Sequence, residues 1–151
     1  EAGEDMETVA KWVEENRNHI VHLFTVDDLF HLHRGGRVSK TTAIVGSMLN
    51  IKPVLHVDNE GKLVNIGKSR GRKKALQELV SLMEQKIGSY KNSCHTIFIS
   101  HGDCEEDAQY VEKKVKEKYD IDTVMINYVG SVIGAHSGPG TLALFFVGEE
   151  K

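Results

Sequence analysis

Gly130-Ser-Val-Ile-Gly-Ala-His-Ser-Gly-Pro-Gly140 holds four glycines, one proline, two serines and one histidine within eleven residues, between two apolar runs. Glycine at this density lets the backbone turn sharply and lie close to a ligand, because no Cβ intervenes. Ser131 is placed to cap a short turn of helix through Val132, Ile133 and Ala135, with His136 near its end and Pro139 just past its stop. The stretch therefore reads as a short helix between two strands that displays a single imidazole. The competing reading is a plain helix-to-strand connection with a solvated histidine.

The flanking runs, Thr123–Tyr128 and Leu142–Val147, have strand character, as does Thr96–Ser100 (TIFIS), which is β-branched and aromatic. Asp103 with Glu106 has the capping-box arrangement and opens a helix through Ala108, Val111, Val115 and Tyr119. Further back, Leu76, Leu79, Val80, Met83 and Ile87 make a helical stripe from Arg72 to a stop at Gly88. Pro53–Val57 and Leu63–Ile66 flank the turn Asp58-Asn-Glu-Gly61 as a hairpin. Ser39 is a cap for a helix through Ala43, Ile44, Met48 and Leu49, and Thr25 with Asp28 is a capping box for a helix from Val26 to Arg34. Met6, Val9, Val13 and Ile20 recur at helical spacing, giving an opening helix over residues 1–20. An α+β fold is expected, with a mixed, largely antiparallel sheet packed with helices. Because a helix opens it with no strand before, the chain is expected to enter in mid-architecture.

A length of 151 residues with 40% apolar residues suits one globular domain. The net charge of −3 argues against a general binder of nucleic acid or membrane surface, which would show a basic excess. No apolar run approaches the roughly 20 residues of a spanning helix, and no signal peptide opens the chain. Two cysteines, Cys94 and Cys104, permit a disulfide on count alone, but their scarcity favours a reducing, cytoplasmic setting.

Three polar clusters join the histidine loop as candidate sites. His31-Leu-His-Arg-Gly-Gly-Arg-Val-Ser39 sets two arginines across a Gly-Gly turn, which suits an anion or, equally, a solvated turn with Arg34 complementing a helix dipole. Lys68-Ser-Arg-Gly-Arg-Lys-Lys74 packs five cations into seven residues, able to steer an acidic partner or simply to solvate a helix start. Its Gly67-Lys-Ser-Arg-Gly71 matches G-x-S-x-G formally, but the strand before it is half of a hairpin, which counts against a nucleophilic Ser69. His101-Gly-Asp-Cys104 has two of the residue types of a zinc site without two more ligands at matching spacing. No metal site and no catalytic constellation is expected there.

Taken in order, Phe24-Thr-Val-Asp-Asp-Leu29, His33-Arg-Gly-Gly-Arg-Val-Ser39, Ile51-Lys-Pro-Val54, Lys68–Lys74 and Gly134-Ala-His-Ser-Gly-Pro-Gly140 resemble the DegV family over about residues 20–148. The resemblance implies the C-terminal domain (21–151) of a two-domain bacterial protein whose N-terminal domain is missing. It also implies that a long-chain fatty acid is bound between the two domains, with no other cofactor. Some members are carrier subunits of fatty acid kinase, which phosphorylates the exposed carboxylate to an acyl phosphate for phospholipid synthesis. On this resemblance His136, with Ser137 and Gly138, lies near the acid head group, Arg70 lies by the cleft, and Arg37 belongs to a signature turn. Arg70, Arg72, Lys73 and Lys74 are expected to face a kinase partner.

An acyl chain gains about 0.8 kcal/mol per buried CH₂. Ile44, Met48, Leu55, Ile66 and Ile133 are candidate linings, although core packing explains each equally well. The expected function is thus non-catalytic lipid carriage. Two alternatives stand beside it: an enzyme on a small anionic substrate with His136 as acid or base, and a nucleic-acid-binding regulator using Lys68–Lys74.

Overall fold

The protein's structure, a computed structural model, describes residues 3–40, 44, 46 and 48–149. Among these the elements run α1 (Met6–Asn16), β1 (Ile20–Thr25), α2 (Leu29–Arg34), β2 (Ile51–Val57), β3 (Leu63–Arg70), α3 (Arg72–Lys86), a 3-10 turn (Gly88–Asn92), β4 (Thr96–His101), α4 (Glu105–Lys116), β5 (Thr123–Tyr128), α5 (Ser131–Ser137) and β6 (Leu142–Val147). The strands form one sheet in the order β3-β2-β1-β6-β4-β5. Only β4 and β5 pair in parallel, and α4 is the crossover that this pairing needs. The remaining neighbours are antiparallel, which gives the mixed, largely antiparallel sheet that the patterning predicts.

Alternation along the strands gives the sheet two unlike faces. Val21, Leu23, Ile97, Ile99, Leu144 and Phe146 point to one side, where Leu76, Leu79, Met83, Val111 and Val115 of α3 and α4 complete the main core. On the opposite side a smaller cluster of Val26, Leu29, Leu32 and Leu55 seats α2 beside Phe24. Farther along this second face, cross-strand register lines up His22, Phe145, Phe98 and Met125 across β1, β6, β4 and β5. Phe98 and Met125 remain about half exposed, at 48% and 54%.

Several local expectations are corrected. α1 stops at Asn16 and Ile20 opens β1, so the stripe of Met6, Val9 and Val13 does not continue into it. α1 is capped by Asp5, whose carboxylate accepts the Thr8 N–H at 2.8 Å, which holds its pKa below the usual carboxylate value. Thr25 is no cap. It ends β1 fully buried, and Asp28 caps α2 by accepting the Phe30 N–H at 2.9 Å. The cap position of α4 is likewise Cys104 and not Asp103, which takes φ 55. β3 runs on to Arg70 and so absorbs Lys68, Ser69 and Arg70, and the chain turns into α3 at Gly71. Of the helix expected from Ser39, Lys40, Ile44, Gly46 and Met48 carry helical backbone, while Ala43 lies outside the described residues.

Candidate functional site

The histidine loop forms the expected short helix, but Ser131 is its first residue and not its cap: Gly130 holds the cap position with no side-chain bond, and Gly138 ends the helix just before Pro139. α5 buries little of itself. Val132 and Ile133 are 72% and 60% exposed, and the Ser137 hydroxyl bonds back to the Ile133 carbonyl at 2.9 Å. What fixes this loop is the segment from Asp27 to Gly35, which meets it at three glycine contacts. A Cβ on Gly35 would lie 2.8 Å from His136 Nδ1; one on Gly138 would lie 2.4 to 2.8 Å from the His31 ring; and one on Gly140 would lie 2.5 Å from Asp27 Cβ. Each exchange works because one partner lacks a side chain. Asp27 is itself tied down, since Lys52 of β2 reaches its carboxylate at 2.6 Å and its carbonyl at 2.7 Å. Two motifs about a hundred residues apart in sequence therefore share one corner, and His136 is the exposed imidazole at it.

The His101–Cys104 segment braces this corner from behind. Gly102 N–H donates to the Thr141 carbonyl at 2.8 Å, and Gly140 N–H donates to the Gly102 carbonyl at 2.7 Å. Buried His101 packs against Tyr128 with ring centroids 4.6 Å apart and ring planes tilted by 41°. Its Nδ1 accepts the Cys104 N–H at 3.2 Å, which assigns the ring proton to Nε2. Cys104 Sγ bonds the Thr141 carbonyl at 3.3 Å, and burial pushes its thiol pKa up against the opposing pull of Arg72. A thiol held this way is a poor nucleophile. Cys94, buried elsewhere, is also free, so the two cysteines form no disulfide.

The charged candidates separate. Arg37 is exposed, and its guanidinium donates to the carbonyl of Gly35, the residue that His136 lies against. Arg70 is exposed on β3 and, with Leu49, Ile51, Lys68 and Ser69, lines a cavity of about 260 Å³. Ser69 is paired with Lys52 inside a hairpin strand, short of the strand-to-helix turn at Gly71 on which the motif requires its nucleophile. Lys73 and Lys74 are exposed on α3, whereas Arg72 turns inward to Asp107 at 2.8 Å. The apolar candidates separate as well. Leu55 belongs to the α2 cluster at 4% exposure; Ile44, Met48 and Ile66 are open at 39%, 81% and 36%; and Ile133 lies on α5 beside the histidine. Among the described residues no three His, Cys, Asp or Glu side chains are grouped to hold a metal ion, and no helix is long and apolar enough to cross a membrane.

The sequence marks the segments that hold Asp27, His31, Gly35 and Lys52, but not the contacts that bring these four residues to the histidine loop. Each of the four takes its meaning from contacts between distant segments.

The fold and its corner define a mixed α/β domain that displays a histidine where a glycine-rich loop is pinned to a helix turn. The chain belongs to the DegV family: the model described as "Uncharacterised protein, DegV family" matches residues 1–149. A DegV domain-containing protein of Clostridium perfringens is 48% identical over 149 residues, covering 99% of this chain and 50% of that protein. The crystal structure of a fatty acid binding DegV family protein from Streptococcus agalactiae superposes with a TM-score of 0.78 at 31% identity, over 98% of this chain and 51% of that one. The Streptococcus pneumoniae fatty acid kinase B3 protein, loaded with linoleic acid, has the same fold (TM-score 0.83, 21% identity, 97% and 51% coverage). The chain thus spans about half the length of the relatives it matches.

Proposed function

We propose that this chain is the C-terminal half of a two-domain carrier that holds a long-chain fatty acid between its halves and presents the carboxylate to a kinase. The observation that carries the reading is the corner where exposed His136 lies on Gly35, whose carbonyl is bonded by Arg37. A carboxylate leaving water needs a hydrogen-bond donor or a positive neighbour, and His136 and Arg37 supply both. Arg70 is a third candidate for the head group, and Lys73 and Lys74 offer the kinase an exposed basic face. For the acyl chain, the half-open row of Phe98 and Met125 and the bare Val132 and Ile133 of α5 offer apolar surface that a ligand or the other half would cover. The fatty acid bound by the 31% identical S. agalactiae protein supports the ligand class, and the kinase-system name of the S. pneumoniae protein supports the partner.

The test is calorimetry with oleate on this chain beside the two-domain protein, together with denaturing extraction of the latter and mass spectrometry for fatty acids. Binding by the two-domain protein and little by this chain alone is expected. Equal affinities would sink the interdomain site, and an extract free of fatty acid that also fails to bind oleate would sink the ligand class.

A further inference from the structure

We propose that Gly35 is a positioning residue for His136, an inference that rests on His136 being the carboxylate's partner. Two glycines stand together after α2, and they call for opposite explanations. Gly36 has φ 75, a left-handed conformation that disfavours side chains, and nothing lies within 4 Å of where its Cβ would be. Gly35 is the reverse. Its φ of −75 and ψ of −2 suit any residue, yet its Cβ would meet His136 at Nδ1 (2.8 Å), Cγ (3.5 Å) and Cβ (3.6 Å). The missing side chain at position 35 is space that the imidazole uses.

Nothing on α5 replaces that floor. The helix is seven residues long, Ser131, Val132, Ile133, Ala135 and His136 are exposed, and its buried residue is Ser137. The floor is braced from its own side: Gly35 N–H donates to the His31 carbonyl at 3.0 Å, its carbonyl receives the Arg37 guanidinium, and Arg37 N–H returns to the Leu32 carbonyl at 2.8 Å. A methyl at position 35 must push the ring back by at least 0.6 Å to reach ordinary contact. Hydrogen bonds to a carboxylate tolerate little such displacement, since their strength falls steeply with distance and angle. The backbone at Gly35, by contrast, accepts alanine, and the change lowers the conformational freedom of the unfolded chain.

The experiment uses the two-domain protein as Gly35→Ala, His136→Ala and the double variant, with Gly36→Asn as the neighbouring control. Oleate affinity and melting temperature are measured on every variant, and the imidazole ¹⁵N resonances of His136 on each variant that retains the ring. We expect Gly35→Ala to keep its melting temperature, shift the His136 resonances and weaken oleate binding by about 5- to 50-fold. In the His136→Ala background it should add nothing, and Gly36→Asn should change none of the three. Unchanged affinity in Gly35→Ala where His136→Ala weakens binding overturns the proposal. So does equal loss in both backgrounds, or a melting temperature lowered to the point of unfolding. Should His136→Ala itself bind oleate normally, the carboxylate reading fails instead, and the His136 resonances alone then decide: moved by Gly35→Ala, they support positioning, and unmoved, they overturn it.

Discussion

The ring of His31 lies against the α-carbon of Gly138, so close that a Cβ there would meet three ring atoms at 2.4 to 2.8 Å. Gly138 also has φ 80, so a side chain would suffer both steric and backbone strain. Gly138→Ala should cost about 2–4 kcal/mol in urea unfolding. Adding His31→Ala relieves the steric part and should return more than a third of that loss. Equal costs in both backgrounds would remove the ring from the account.

His136→Ala is expected to leave the fold intact, because an exposed side chain on a short helix packs little. If it hydrogen-bonds the carboxylate, the loss is about 1–3 kcal/mol, or roughly 5- to 150-fold in fatty-acid affinity. Phosphorylation of the bound acid by the kinase partner should fall with occupancy and recover at saturating ligand. A fall in turnover of about 10² to 10⁴ at full occupancy would instead make His136 an acid–base catalyst.

Within the basic run Arg72 is structural, whereas Lys73 and Lys74 are exposed to meet a partner. Arg72 pairs with Asp107 across α3 and α4, and its guanidinium approaches Cys104 Sγ at 3.5 Å. Arg72→Met should cost about 1–2 kcal/mol and raise the Cys104 thiol pKa further, slowing its alkylation at pH 8. Lys73→Ala with Lys74→Ala should leave stability unchanged, slow association with the kinase and flatten its salt dependence. Stopped-flow rates across ionic strength check this, and rates indifferent to the double change would reduce the pair to a solvated face.

Tyr119, at 7% exposure, buries its hydroxyl without a hydrogen-bond partner among the described residues. Tyr119→Phe therefore removes an uncompensated polar atom and should stabilise the domain by about 1 kcal/mol. Burial first, and Glu84 second, push its pKa up to about 12 from 10.0. A pKa raised on folding means that stability is fully present below pH 10 and is lost as pH rises through 12. The phenylalanine variant should lose that share of the alkaline decline, which melting curves between pH 9 and 12 would show.

The legible parts of the fold were those decided within a dozen residues. The 58–61 turn, the Leu76–Ile87 stripe and the GSVIGAHSGPG stretch all form where local pattern places them. Where sequence reading went wrong, tertiary pairing overrode local chemistry. Thr25 has the look of a cap, but β6 extends β1 to it through the Thr25–Leu142 pairing, and Asp28 takes the cap three residues on. Lys68 to Arg70 look like a helix start, yet pairing of Ser69 with Lys52 and Arg70 with Ile51 keeps them in β3. At the site, an exposed histidine among glycines was readable. Its floor at Gly35 was not, because that contact joins segments whose proximity no local pattern encodes.

β6 lies between β1 and β4, and Ile20 pairs with Val147 across nearly the whole described chain. The last of the described strands in chain order is thus the keystone of the sheet. Until it emerges, β3-β2-β1 and β4-β5 are two separate ribbons whose inner edges both stand open. Pairing β6 with β1 closes long loops, whose entropy must be met before the contacts reward it, and this should slow folding. A nascent chain stalled short of Leu142 would therefore expose two unpaired edges to other chains, and truncation there should yield aggregate and not a smaller folded domain.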